Sequence, residues 1–248
     1  GHSLLHSADA LVPVSRWLAV DLMLKGVSSH RIRQVYDSID VVPCQSGAPS
    51  AQDLRSQLGL GGHVRLVAMI GMLVPWKGQE LFIDAVARLN EPDVAYLIVG
   101  GTPERGDHTY AQALRAHVQS LGKQVPLIFT GKLDNLSELM PQMDVVVSCS
   151  TAPEPLGLVM LEAMASGCIF VGPAHGAAPE VVEHGVSGFL FEPGQAADLA
   201  RQLRSALAVG GTPIQSSMRA HAAQAIERFR PVYCADETQR VYLSVQGR

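Results

Sequence analysis

From residue 64 onward the chain alternates short, wholly apolar runs with longer helix-forming ones. That alternation constrains the fold more than any other feature. Residues 64–71 (VRLVAMIG), 95–100 (AYLIVG), 125–131, 144–150 (DVVVSCS), 168–172 and 188–192 have the length and apolar content of strands. Helices are predicted between them at 80–89, 110–121, 136–143 and 178–183, with another starting at Gly157–Leu158. A strand that is apolar throughout is buried on both faces. The predicted fold class is therefore α/β, a doubly wound parallel sheet with helices on either side and a short leading segment. Ligands of such sheets sit at the C-terminal strand ends, where Gly71, Gly100, Gly131 and residues 148–151 fall. Amphipathic helices from about Ala197 and after Pro231 close the chain.

The first 50 residues follow a different pattern. Residues 8–15 (ADALVPVS) read as a short buried strand, and Ser15 as the cap of a helix that carries Trp17, Val20 and Leu24 on one face. Trp17 is expected in the core. A second strand is expected at 32–39, followed by a turn-rich linker at 44–50. This divides the chain into a leading strand–helix–strand segment with its linker, 1–50, and a Rossmann-like domain with C-terminal helices, 51–248.

Within that domain, residues 152–180 (APEPLGLVMLEAMASGCIFVGPAHGAAPE) concentrate the polar chemistry. Pro155 and Gly157 mark a turn, and a helix follows that has no breaker until Gly167. The N-terminus of such a helix offers unpaired N–H groups and the positive end of the dipole, which suit a phosphate. Glu154 precedes that point and Glu162 lies four residues beyond Leu158, on the same helix face. Amides for a phosphate with carboxylates for hydroxyls describe a nucleotide-sugar site. An isolated glutamate pair is ordinarily solvated surface, so the surrounding motifs have to carry the argument. Lys77, in the turn GMLVPWKG, could bring a point charge to the same phosphate, although a lone Lys-Gly pair is weak. His175 sits in a glycine-containing turn and is assigned no catalytic role; Glu180 suits the dipole of the helix that follows.

Composition narrows the alternatives. The formal net charge is −4, with 17% charged and 47% hydrophobic residues, so no general field attracts nucleic acid or an anionic membrane. Cys44, Cys149, Cys168 and Cys234 are scattered without zinc-ligand or disulfide spacing, which favours a reducing compartment. No run approaches transmembrane length and no signal peptide is recognisable. The sequence has no Ser-His-Asp arrangement, Walker loop, dinucleotide fingerprint or H-E-x-x-H, which argues against hydrolase, ATPase, dehydrogenase and metalloprotease chemistry.

The strings EPLGLVMLEAMASG and GAAPEVVEHGVSGFLFEPG resemble the donor-binding, C-terminal domain of retaining GT-B-type glycosyltransferases. GMLVPWKG, IVGG at 98–101, FTGKL at 129–133 and ERFRPVYCADETQRVY extend the likeness, and ADALVPVS and IRQVYDSID resemble the segment leading into that domain. The resemblance covers nearly the whole chain. It implies that Glu154 orients the donor sugar and that Lys77 stabilises the departing phosphate. Gly71, Met72, Pro155, Leu156, Gly157 and Leu158 would border the diphosphate and sugar, Glu162 would bind ribose hydroxyls, and Gly131, Lys132 and Leu133 would border the base. It also implies retention of anomeric configuration, no metal or other cofactor, and a nucleotide sugar as substrate. The full-length protein would be cytoplasmic, with a peripheral place at the inner face of the membrane left open, and would act in polysaccharide or glycoconjugate synthesis. Met72 departs from the arginine usual in the family, and Gly176-Ala177 from its paired glycines.

GT-B enzymes have two Rossmann-like domains, and this chain supplies one. The acceptor, a glycan, lipid-linked or small molecule, would bind a domain not contained in it. Donor binding with little or no transfer is the expectation for the chain alone. Two alternatives stand: a non-catalytic, degenerate module that pairs with or regulates a partner, and a sugar epimerase or phosphorylase relative. A homo-oligomer formed through the leading segment is also left open.

Overall fold

The computed structural model describes residues 7–40, 53–103, 108–122 and 125–246; the linker read at 44–50 lies outside the described residues. Strands β1 (Arg65–Ile70), β2 (Val94–Val99), β3 (Leu127–Gly131), β4 (Val145–Val147), β5 (Ile169–Pro173) and β6 (Phe189–Phe191) form one sheet. Their order is β3-β2-β1-β4-β5-β6, and every neighbouring pair is parallel. The order reverses between β1 and β4, so the crevice beyond their C-terminal ends is where a doubly wound sheet binds ligands.

The helices are α1 (Arg16–Leu24), α2 (Leu54–Gln57), α3 (Gln79–Val86), α4 (Thr109–Ser120), α5 (Leu136–Leu139), α6 (Leu158–Ala165), α7 (Ala178–Val181), α8 (Ala196–Val209), α9 (Pro213–Ile226) and α10 (Pro231–Gln246). Alternation along β1 divides the core in two. Val67 and Met69 pack with α3, α4 and α8 on one face. Leu66, Ala68 and Ile70 pack with α5, α6 and α7 on the other. The inner strands are therefore buried on both sides, as their composition predicts, whereas the edge strand β3 is only half-buried along its length. Cys149 and Cys168 are buried among them as small apolar residues.

The leading segment departs from expectation. Residues 8–15 and 32–39 do not form strands; they meet in one parallel bridge, Leu11 with Ile32, supported by a few backbone bonds. Among the described residues no further strand pairs with them. The apolar stripe of α1 is not core either: Val20 is 49% and Leu24 83% exposed, and Trp17 is only half-buried. Ser15 does cap α1, its Oγ accepting from Leu18 N at 3.1 Å.

A second cap comes from the far side of the chain. Glu180, in the first turn of its own helix as expected, also accepts from the first amides of α1: Arg16 N at 3.0 Å and Trp17 N at 2.5 Å. Tyr36 donates to the same carboxylate at 3.0 Å, and burial, then this bond, raises the Tyr36 pKa. Arg228 donates to the Glu180 carbonyl at 2.5 Å and stacks over Tyr36 and Phe229. Glu180 thus fastens the leading segment to the sheet domain. Glu180→Ala is expected to cost about 2 kcal/mol and to speed amide exchange across residues 16–24. Unchanged exchange there would place the docking energy elsewhere.

Candidate functional site

Three loops meet at the C-terminal ends of β1, β4 and β5. The first leaves β1 at Gly71 and turns through a 3₁₀ segment, Pro75–Lys77, into α3. Its exit is set by Gly78, at φ 75°, where a Cβ would overlap the Cys149 carbonyl. That close approach places Lys77 against the loop after β4. Thr151 N donates to Trp76 O at 2.8 Å and ties the two loops together. Gln79, fully buried, donates to Met72 O at 2.8 Å and is held by the Tyr110 hydroxyl at 3.2 Å.

Lys77 Nζ lies 2.9 Å from Glu154 Oε1, with the two side chains 17% and 21% exposed. The ammonium also stands 4.3 Å from the centre of the Trp76 ring. Ser150, buried, donates its hydroxyl to the same Oε1. Glu154 is followed by Gly157, the N-cap residue of α6, at φ 85° with no side-chain cap bond. The first amides of α6 are therefore left without a side-chain cap, at the positive end of the helix. Lys77, Ser148, Glu154, Gly157 and His175 line one cleft there, with Ile70 and Phe170 among its apolar lining.

The third loop, after β5, closes on Glu154 from behind. Ala177 N donates to Glu154 O at 3.1 Å. Gly176, at φ 62°, packs so tightly that a Cβ would come within 2.6 Å of Glu154 O and 2.7 Å of Glu154 N. His175 Nε2 lies 3.0 Å from Ser150 O.

The structure brings together only part of the predicted set. Lys77, Glu154, Leu156 and Gly157 line the cleft. Gly71 is adjacent, in contact range of the Lys77 side chain for any added Cβ. Met72 and Leu158 are 53% and 43% exposed near the mouth, and Pro155 is exposed between Glu154 and Leu156. Glu162 does not line the cleft; it is exposed one turn along α6 from Leu158. The protein packed around it nevertheless raises its carboxyl pKa above the ordinary range by desolvation. Gly131 ends β3 at φ 71° and accepts from Gly100 N at 2.9 Å. Lys132 is 82% exposed beside Asp134, and Leu133 packs on the core. These three stand at and after the end of β3, two strands away from β1, and do not line the cleft. Sequence reasoning missed Ser150, whose hydroxyl turns to Glu154 within the same loop, and the bond made by His175, which is a contact between loops. Among the described residues no cluster of His, Cys, Asp and Glu could hold a metal ion, and no helix is long and apolar enough to cross a membrane.

A parallel six-stranded sheet with helices on both faces defines a Rossmann-like α/β domain, with a Lys–Glu pair beside an uncapped helix N-terminus at its C-terminal edge. Residues 50–225 match the family described as glycosyl transferases group 1, and the chain belongs to that family. It is 29% identical over 194 residues to N-acetyl-alpha-D-glucosaminyl L-malate synthase of Bacillus anthracis, covering 77% of this chain and 49% of that protein. It is 31% identical over 228 residues to D-inositol 3-phosphate glycosyltransferase of Mycolicibacterium vanbaalenii, covering 88% and 50%. The chain thus spans about half the length of these relatives. The crystal structure of Anabaena Alr3699/HepE in complex with UDP-glucose superposes with a TM-score of 0.86 at 28% identity, covering all of this chain and 66% of that one.

Proposed function

We propose that this chain is the nucleotide-sugar-binding part of a retaining glycosyltransferase. The observation that carries the reading is the Lys77–Glu154 pair at 2.9 Å, set beside the uncapped N-terminus of α6. The ammonium and the helix amides compensate the charge of a diphosphate that leaves the sugar, where preorganised dipoles lower the barrier most. Glu154 accepts from sugar hydroxyls and orients the ring. Glu162 takes the ribose hydroxyls, which lets the ligand reach past the cleft along α6. Gly131, Lys132 and Leu133 border the base.

Transfer itself breaks the bond from the anomeric carbon to the phosphate oxygen and forms one to the acceptor oxygen on the same face. The acceptor proton passes to the departing diphosphate. The acceptor is held by residues outside this chain, so the chain alone binds donor and transfers little or nothing. With Lys77 and the α6 amides carrying the charge, the reaction needs no metal. The likeness to a UDP-glucose-binding neighbour supports uridine as the base to try first.

The test is calorimetric titration of the chain with UDP, GDP, ADP and their glucose or mannose conjugates, with and without EDTA. One nucleotide is expected to bind, equally well with EDTA, and Glu162→Ala is expected to weaken it roughly tenfold. No binding by any of them, from a folded sample, would sink the donor-site reading and favour a non-catalytic module.

A further inference from the structure

We propose that Ser150 and His175 are positioning residues that fix the Glu154 carboxylate, holding one oxygen internally and turning the other to the donor sugar. The inference rests on the donor-site reading above. The two carboxylate oxygens have different surroundings. Oε1 receives both the Ser150 hydroxyl and Lys77 Nζ. Oε2 faces Gly157, where an added Cβ would lie 3.5 Å from it. Among the described residues no group donates to Oε2. The carboxylate is thus anchored by one edge, and its other edge opens toward the N-terminus of α6.

A carboxylate on a freely rotating side chain would exchange these oxygens. Ser150 prevents that only if Ser150 is itself fixed, and its side chain is buried at the end of β4 with its carbonyl facing the loop after β5. A carbonyl can only accept, so His175 Nε2 carries the proton and donates at 3.0 Å. In the neutral ring Nδ1 is then a bare acceptor, and it is buried without a partner. A buried unpaired nitrogen is unfavourable. An aliphatic side chain would fill the same space without that cost and would lose the Nε2 donor. The histidine is accordingly explained by its bond to Ser150. Ala177 N holds the Glu154 carbonyl at 3.1 Å, so residues 175–177 grip the Ser150–Glu154 segment at both ends. Only the histidine grip acts through a side chain.

Because the pair acts through Glu154, it should affect recognition of the sugar and spare that of the nucleotide. UDP and UDP-glucose affinities would be measured for the unaltered chain, Ser150→Ala, His175→Leu and His175→Gln, with melting temperatures to confirm folding. Ser150→Ala and His175→Leu are expected to weaken UDP-glucose roughly tenfold while UDP stays within about twofold. His175→Gln, which keeps an N–H at similar reach, is expected to recover most of the loss. Equal losses for both ligands, or no loss for either, would overturn the proposal. If His175→Leu does not fold, Ser150→Ala decides. If the unaltered chain binds neither ligand, the donor-site reading fails by itself and crystal structures of ligand-free His175→Gln and His175→Leu decide the positioning role. Loss of the Ser150–Glu154 bond in the leucine variant alone would support it; an unmoved carboxylate in both would refute it.

Discussion

Gly100→Ala is expected to destabilise the protein by about 3 kcal/mol or more and to abolish nucleotide binding. Gly100 follows β2 at φ 145°, and an added Cβ would be driven into the Gly71 carbonyl oxygen. Both partners are backbone, so neither can rotate aside. Relief requires β1 and β2 to part at their C-terminal ends, where Gly71 N donates to Val99 O at 2.9 Å and Leu73 N to Gly101 O at 3.0 Å. Those bonds start the loop that carries Lys77. Gly100 N also donates to Gly131 O, so the strain reaches β3 as well. Stability and site are therefore damaged by one methyl group. Gly62→Ala is the control: nothing lies within 4 Å of its added Cβ, and a change within about 0.5 kcal/mol is expected. Urea midpoints for both variants check the claim. A Gly100→Ala midpoint equal to that of the unaltered chain would show that the strands have slack there.

The same crowding explains what the sequence could and could not disclose. Strands β1 to β6 were legible because each is apolar on both faces, a pattern that survives without knowing its neighbours. The start of α6 was legible because Pro155 and Gly157 act locally. The leading segment misled for a physical reason. ADALVPVS and IRQVYDSID have strand-like composition, but pairing needs a partner, and here they find one bridge. Helix α9 went unread because its buried positions, Met218, Ala222 and Ile226, include an alanine that gives little hydrophobic signal. In the site, Glu154 and Lys77 stood out through their motifs, yet their pairing spans 77 residues. His175 and Glu180 act across loops, and no local pattern announces a partner that distant, whereas Ser150 meets Glu154 within its own loop. Contacts of this kind are decided by the tertiary fold, which is why sequence reasoning reached the residues flanking the cleft sooner than the bonds that shape it.

Substituting the two members of the central ion pair is expected to move UDP affinity in opposite directions. Lys77 Nζ is already engaged by Glu154 at 2.9 Å, with both side chains mostly shielded from solvent. A diphosphate must therefore share or displace that partner. Lys77→Ala removes the cation and leaves a partly buried carboxylate beside the proposed phosphate site, so UDP affinity should fall by roughly a hundredfold. Glu154→Gln keeps the side-chain oxygen that receives the Ser150 hydroxyl and removes the charge, which frees Lys77. UDP should then bind as tightly or a few times more tightly, while the advantage of a UDP-sugar over UDP shrinks. Lys77→Ala/Glu154→Gln should lie between the two, because the repulsion introduced by the first change is cancelled by the second. If the main work of Glu154 were to hold Lys77 in place, its neutralisation would let the ammonium drift and UDP would weaken. Titration of the four proteins at two salt concentrations separates these cases. Tighter UDP binding to Glu154→Gln, with a steeper salt dependence, would mean that the carboxylate competes with phosphate for one cation. Weaker binding would mean that it acts as the support of that cation, and Glu154 would then serve the phosphate as well as the sugar.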